Sequence, residues 1–166
     1  MGTHSEAEVG ELLHRRGWRT AFTVAERADA WARLVGAVER GYGDDIHEYA
    51  NDLYCRTWLH EAWLLLHDHV VQLWTPRIRA WDERFRAATV DDDGLALVRF
   101  HRLPHPDLWW WRRHPRVLTG DLGRSLRSAG AVGTEGEDEG RGRAVRRSSL
   151  PPTPGQPLGG DGSVTG

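Results

Sequence analysis

The chain contains no lysine, so all 22 of its permanent positive charges are arginine. Every such cation is therefore a planar, bidentate guanidinium that pairs with carboxylates or phosphates and stacks on rings. The same bias, with methionine only at Met1 and isoleucine only at Ile46 and Ile78, is also what a GC-rich genome produces. Cysteine is almost missing: a lone Cys55 excludes an internal disulfide framework and fits a reducing cytosol. Long apolar runs are missing too. The longest, Ala62 to Leu66, is far too short to span a bilayer, and the opening MGTHSEAEVGELLHRRG has no apolar signal core. Met1-Gly2 begins like a myristoylation site, but Glu6 stands where Ser or Thr is needed. These absences predict a cytoplasmic protein with no membrane association. Basic excess is lacking as well. The formal net charge is −2, and through Gly120 16 arginines face 18 acidic residues, which argues against duplex nucleic acid as a partner. No Gly-rich phosphate loop, complete metal-ligand set or nucleophile motif occurs, so no cofactor is expected.

What the chain does have is tryptophan: nine of them, all between Trp18 and Trp111, with no aromatic residue afterwards. Beyond Ser128 lie ten of the 19 glycines and four of the eight prolines, with an acidic knot at Glu135 to Glu139 and a basic one at Arg141 to Arg147. This contrast predicts a helical Trp-rich domain over residues 5–127 and a disordered Gly/Pro/Arg-rich tail over residues 128–166. In that tail, Arg146-Arg147-Ser148-Ser149 would suit a kinase that prefers arginine upstream of serine.

Within the body, Ser5 with Glu8 is a capping box, and Gly17 is a stop, so residues 6–16 read as a first helix. Thr23 with Glu26 repeats the device, and Val24, Ala28, Trp31, Val35, Val38 and Tyr42 step by three or four residues to an end near Gly41 or Gly43. Asp45 with Glu48 opens a third helix, with Ile46, Tyr49, Ala50 and Leu53 on one face and Asp45, Glu48 and Asp52 on the other. From about Arg56 to Trp74 the stripe shifts to Leu59, Trp63, Leu66, Val70 and Leu73, the pattern of a central helix. Thr75-Pro76 then reads as a restart, Thr as N-cap and Pro in the first turn, with Ile78, Trp81 and Phe85 facing inward as far as Ala88. Asp91 to Gly94 is a turn, Leu95 to Phe100 leans to helix with Asp93 as cap, and Pro104, Pro106 and Pro115 keep structure short around the tryptophan triplet. The fold class expected is all-α: a single bundle-like body of about four to six helices.

Nine histidines invite a metal reading, but His60 and His67 lie about 10 Å apart along a helix and His67 and His69 on nearly opposite sides of one. His69 falls in the apolar arc and reads as a core histidine. Leu65-Leu66-His67-Asp68 resembles the His-Asp doublet of HD-type phosphohydrolases, with His69 where a glycine commonly follows. The resemblance covers these few residues. It implies an all-helical, metal-dependent phosphohydrolase in which His47 upstream and Asp107 or Asp121 downstream would complete the site.

Asp44, Asp45, Glu48 and Asp52 form the densest carboxylate group of the body, either a solvated face or a surface for a basic partner. Trp109-Trp110-Trp111-Arg112-Arg113-His114-Pro115-Arg116 is its most unusual stretch. Three successive indoles cannot easily enter one core, so at least one should stay accessible beside the arginines. There it could pack internally, clamp an acidic peptide or stack on a single-stranded base. Cys55 has no activating histidine at helical spacing. These features together predict a small non-enzymatic protein, immunity-like or regulatory, that binds another protein through Asp45, Glu48 and Asp52, through Trp109, Trp110, Trp111, Arg112 and Arg113, or through both. Two alternatives stand beside it: the HD-like phosphohydrolase using His47, His67 and Asp68, and a single-stranded nucleic-acid binder using the Trp109–Arg116 segment.

Overall fold

In the computed structural model of the chain, residues 2–104 and 107–130 are described; the expected tail from residue 131 onward, with its Arg146–Ser149 string, lies outside them. The first three helices begin where the capping signals place them. Ser5 Oγ accepts the Glu8 N–H at 3.3 Å while Glu8 takes the Ser5 N–H at 2.8 Å, opening α1 (Glu6–Arg15). Thr23 and Glu26 exchange the same pair of bonds at the start of α2 (Val24–Arg40). Asp45 Oδ1 takes the N–H groups of His47 and Glu48, both at 2.9 Å, to start α3 (Ile46–Trp63). Each cap satisfies donors that the first helical turn leaves without a partner. Gly41 ends α2 with φ +97°, and any Cβ there would meet Thr119 Oγ1 at 2.7 Å.

The stretch expected as one central helix, Arg56 to Trp74, is divided. α3 runs on to Trp63, the chain breaks at Leu64 to His67, and α4 (Asp68–Ala88) begins there and carries Pro76 in its interior. The break has a visible partner: His4 N–H donates to Leu65 O and His67 N–H to His4 O, each at 3.0 Å, so residues 2–4 take up backbone groups that a continuous helix would use. Gly2 lies so close to this break that a Cβ would sit 2.2 Å from the Leu65 carbonyl carbon. Thr75, expected as an N-cap, instead donates its hydroxyl to Val71 O at 2.5 Å and accepts the Trp63 indole N–H at 3.1 Å, which ties α4 back to α3.

After α4 come two features without a sequence signal. Strands β1 (Thr89–Asp91) and β2 (Arg113–Pro115) pair antiparallel, Val90 opposite His114. Between them stand α5 (Leu95–Val98) and a 3-10 turn over Trp109–Arg112. The run at Leu95 is helical as expected, but its cap is Asp92, which takes the N–H groups of Gly94 and Ala96, while Asp93 turns out to Arg112. Finally α6 (Gly120–Ser128) packs on α3, with Leu122 N–H bonded to Asp44 O at 2.9 Å.

α2 lies between α3 and α4, and the largest side chains of the core they enclose are aromatic: Trp31, Trp58, Tyr49 and Phe85 are fully buried, joined from the 3-10 turn by Trp110 and Trp111. One charged group enters this core. Asp82, 6% exposed, receives Arg56 Nε at 2.9 Å, Arg56 Nη2 at 3.0 Å and Trp31 Nε1 at 3.0 Å, while the Arg56 guanidinium stacks 4.5 Å from the Trp110 ring. The node joins α2, α3, α4 and the turn. Among the described residues, no helix is long and apolar enough to cross a membrane.

Candidate binding groove

With their apolar stripes packed on each other, α2 and α3 leave their outer flanks facing across a groove of about 1250 Å³. Its floor includes Phe22, Leu34 and Cys55, and Trp18 and Tyr54 stand at the end formed by the α1–α2 connection. Trp18 is fixed by its N–H to Glu61 at 2.5 Å and its edge contact with Tyr54, whose hydroxyl bonds the His101 ring nitrogen at 3.0 Å.

The groove is charged on both sides. Arg16, Arg19, Arg27 and Arg33 come from the end of α1, its following loop and α2; Asp44, Glu48 and Asp52 come from the α3 side. Among the described residues, none of these four arginines has a carboxylate oxygen within 4.0 Å, whereas Arg56, Arg84, Arg112, Arg113 and Arg124 each do. On the acidic wall the Tyr42 hydroxyl donates to Asp52 Oδ2 at 2.6 Å. Although much of the Asp52 surface is open, its carboxyl is pushed above the ordinary value by burial against the wall, offset in part by the Tyr42 hydrogen bond and the Arg33 charge.

Of the residues expected to meet a partner, Glu48 and Asp52 line the groove. Asp45 does not; its carboxylate caps α3. The tryptophan triplet is separate from this surface. Trp110 and Trp111 are 2% and 0% exposed, and both donate their indole N–H to Thr57 Oγ1, at 3.0 and 2.9 Å, so neither ring is free to meet a partner. Trp111 packs at 5.0 Å against Tyr54 and so supports the groove from behind. Trp109 is half-buried, and the Arg86 guanidinium lies 3.9 Å over its ring. Arg112 pairs with Asp93, and Arg113 is held by Thr89 Oγ1 at 2.7 Å and by the carbonyls of Arg86 and Thr89. The difficulty of fitting three successive indoles into one core is met by the tight turn, which sends two inward to a shared hydroxyl and leaves the third at the edge.

The residues implied by the phosphohydrolase resemblance are not gathered. His47 is exposed in the first turn of α3 and His67 precedes α4, so a helix length of about 27 Å separates their segments. Asp107 is exposed, and Asp121 pairs with Arg124. Among the described residues, no three His, Cys, Asp or Glu side chains are grouped to hold a metal ion. His69, expected in the core, is exposed and stacks on His67 with centroids 5.5 Å apart. Starting the helix at Asp68 changes the register on which the core reading depended.

The arginine wall went unread in the sequence. A signal for it exists, since Arg27, Ala30, Leu34 and Ala37 step by three, four and three along α2 and form a second stripe beside the core stripe. Cys55, at the floor, is 2% exposed, and burial pushes its thiol up to about 12. Its alkylation by iodoacetamide at neutral pH is therefore expected to be negligible in the folded protein and rapid in denaturant; equal rates in both conditions would contradict this burial. Comparison of the chain with protein-family models, with curated proteins and with solved structures finds no match.

Proposed function

We propose that this protein is a non-enzymatic, cytoplasmic binding protein that holds a segment of another polypeptide in the α2–α3 groove. The observation that carries the reading is the mixed charge of that groove: four arginines with no carboxylate oxygen within 4.0 Å among the described residues line it together with Asp44, Glu48, Asp52 and Glu61 and with the rings of Trp18, Phe22 and Tyr54. Concave surfaces with rigid aromatic anchors and unspent guanidinium groups are typical of recognition sites. The two signs select among macromolecules. A nucleic-acid strand laid along the arginines would also meet Asp44, Glu48 and Asp52, whereas a polypeptide carrying acidic and basic side chains satisfies both walls.

The double substitution Asp44→Arg and Glu48→Arg reverses the acidic wall while leaving the Tyr42–Asp52 hydrogen bond intact. Lysate passed over the wild-type chain, with and without nuclease treatment, should yield a stoichiometric polypeptide in both cases. Its affinity for the double variant, measured by calorimetry, should fall on the order of tenfold or more. Recovery of nucleic acid alone, or a partner indifferent to the reversal, would refute the reading.

A further inference from the structure

Resting on the groove reading, the geometry points to one particular contact: we propose that Arg19 and Arg27, gathered on the Phe22 ring, form a seat for an acidic side chain of the bound polypeptide. Both guanidinium carbons lie over that ring, Arg27 at 3.9 Å from its centroid and Arg19 at 5.7 Å. A guanidinium held over a ring face by cation–π attraction keeps N–H donors for a ligand, and its planar fork suits a bidentate carboxylate.

Arg27 is under-compensated where it stands. Its Nε is buried and meets no hydrogen-bond acceptor among the described residues. Desolvation lowers its pKa below the usual arginine value; Cys55 and Glu26 oppose this, and the like charges of Arg19 and Arg33, smaller than either, add to it. A buried donor without a partner is costly, and a second cation nearby adds to the cost; an incoming carboxylate on the terminal guanidinium nitrogens offsets the charge. Elsewhere some guanidinium groups are spent internally, while those of Arg15, Arg40, Arg77, Arg79 and Arg102 have no hydrogen-bond or carboxylate partner among the described residues. Arg99, Arg116 and Arg127 bond to backbone carbonyls, and Arg56 is closed by Asp82. Arg19 and Arg27 have neither kind of partner, and they face an open groove.

The source of the anion follows from the opposite wall. A free oxyanion such as inorganic phosphate would satisfy the arginines and leave Asp44, Glu48 and Asp52 unmatched, with its own charge directed at them. A polypeptide with an acidic residue for Arg27 and a basic one further along answers both. Arg33 marks the boundary, because its charge already reaches Asp52.

The test uses the full chain, isotopically labelled so that arginine Nε–H and backbone amide signals are both resolved. It is titrated with three probes: a peptide of a glutamate block, an alanine spacer and an arginine block; the same peptide with the glutamates replaced by alanine; and inorganic phosphate. With the first probe the Arg27 Nε–H signal should shift saturably, and Arg27→Gln should weaken binding on the order of tenfold, with Arg27→Lys between. Arg19→Gln provides a second variant should Arg27→Gln fail to fold. If the amides of Asp44 and Glu48 move while Arg27 stays still, the seat is wrong and the groove reading survives. If phosphate shifts Arg27 as tightly as the peptide does, the polypeptide source is wrong. If no probe moves any groove signal, seat and groove reading fall together.

Discussion

Alanine in place of Trp111 or Trp110 is expected to cost about 3–5 kcal/mol of folding stability. That is a large share of the roughly 5–15 kcal/mol that holds a typical domain together. The side chains are 0% and 2% exposed, and each removal would leave a void beside Tyr54, Arg56 or Thr57 that the neighbouring helices cannot close. The hydroxyl they share sharpens the expectation. Thr57→Val keeps the volume but strands two buried indole N–H groups, at about 1–3 kcal/mol each, whereas Thr57→Ser retains the acceptor and should cost about 1 kcal/mol. Trp109→Ala, at the half-buried edge, should cost less than either neighbour. Urea unfolding followed by circular dichroism gives the ranking. Midpoints unchanged in Trp110→Ala and Trp111→Ala would mean the indoles are exposed after all, and the segment would return as a candidate contact surface. With the expected ranking, a triple alanine variant of this segment is a folding mutant and unsuitable as a binding control.

That ranking also shows where the sequence was readable. Side chains that act on their own backbone announced themselves: Ser5, Thr23 and Asp45 each start a helix where their spacing to Glu8, Glu26 and Glu48 places it, because capping is settled within one turn. What depended on distant partners did not. The break at Leu64 to His67 is paired with residues 2–4, more than sixty positions away, and no local pattern marks that pairing. Once the break moved the helix start to Asp68, Pro76 fell inside α4 and His69 rotated from the core to the surface. The short ribbon likewise joins Thr89–Asp91 to Arg113–Pro115 across α5 and the 3-10 turn.

The groove was half legible for a related reason. Carboxylates at 45, 48 and 52 repeat at helical spacing and are visible as a face, although only Glu48 and Asp52 reach the groove. The arginines come from α1, the loop after it and α2, so their convergence exists only after folding. The tryptophans misled in the opposite direction. Their density marks the folded body, but the tryptophan triplet reads as a possible contact surface; burial area per residue is what makes tryptophan a core builder, and a single threonine hydroxyl on α3 was enough to satisfy two of them.

The second large effect is expected at Asp82. Two guanidinium hydrogen bonds and one indole hydrogen bond converge on this carboxylate, and Arg56 approaches it from α3 with side-chain exposures of only 13% and 8% for the pair. Asp82→Ala removes the anion and leaves the Arg56 cation and the Trp31 N–H without their partner, which should cost about 3–5 kcal/mol. Asp82→Asn should fall between, because one amide oxygen can still serve Trp31 and Arg56 Nε while the amide nitrogen opposes Arg56 Nη2. Breaking a buried pair is different from replacing it. Changing both partners, Arg56→Met with Asp82→Leu, removes the two charges together, so most of the loss should return; adding Trp31→Phe removes the remaining orphan donor. A double-mutant cycle on urea midpoints separates the outcomes. A coupling energy near zero between Arg56 and Asp82 would show that the pair is solvent-relaxed and contributes little. A large coupling that persists in concentrated salt, where surface pairs are screened, would establish it as the polar lock of the core that holds α2, α3 and α4 in register beneath the groove.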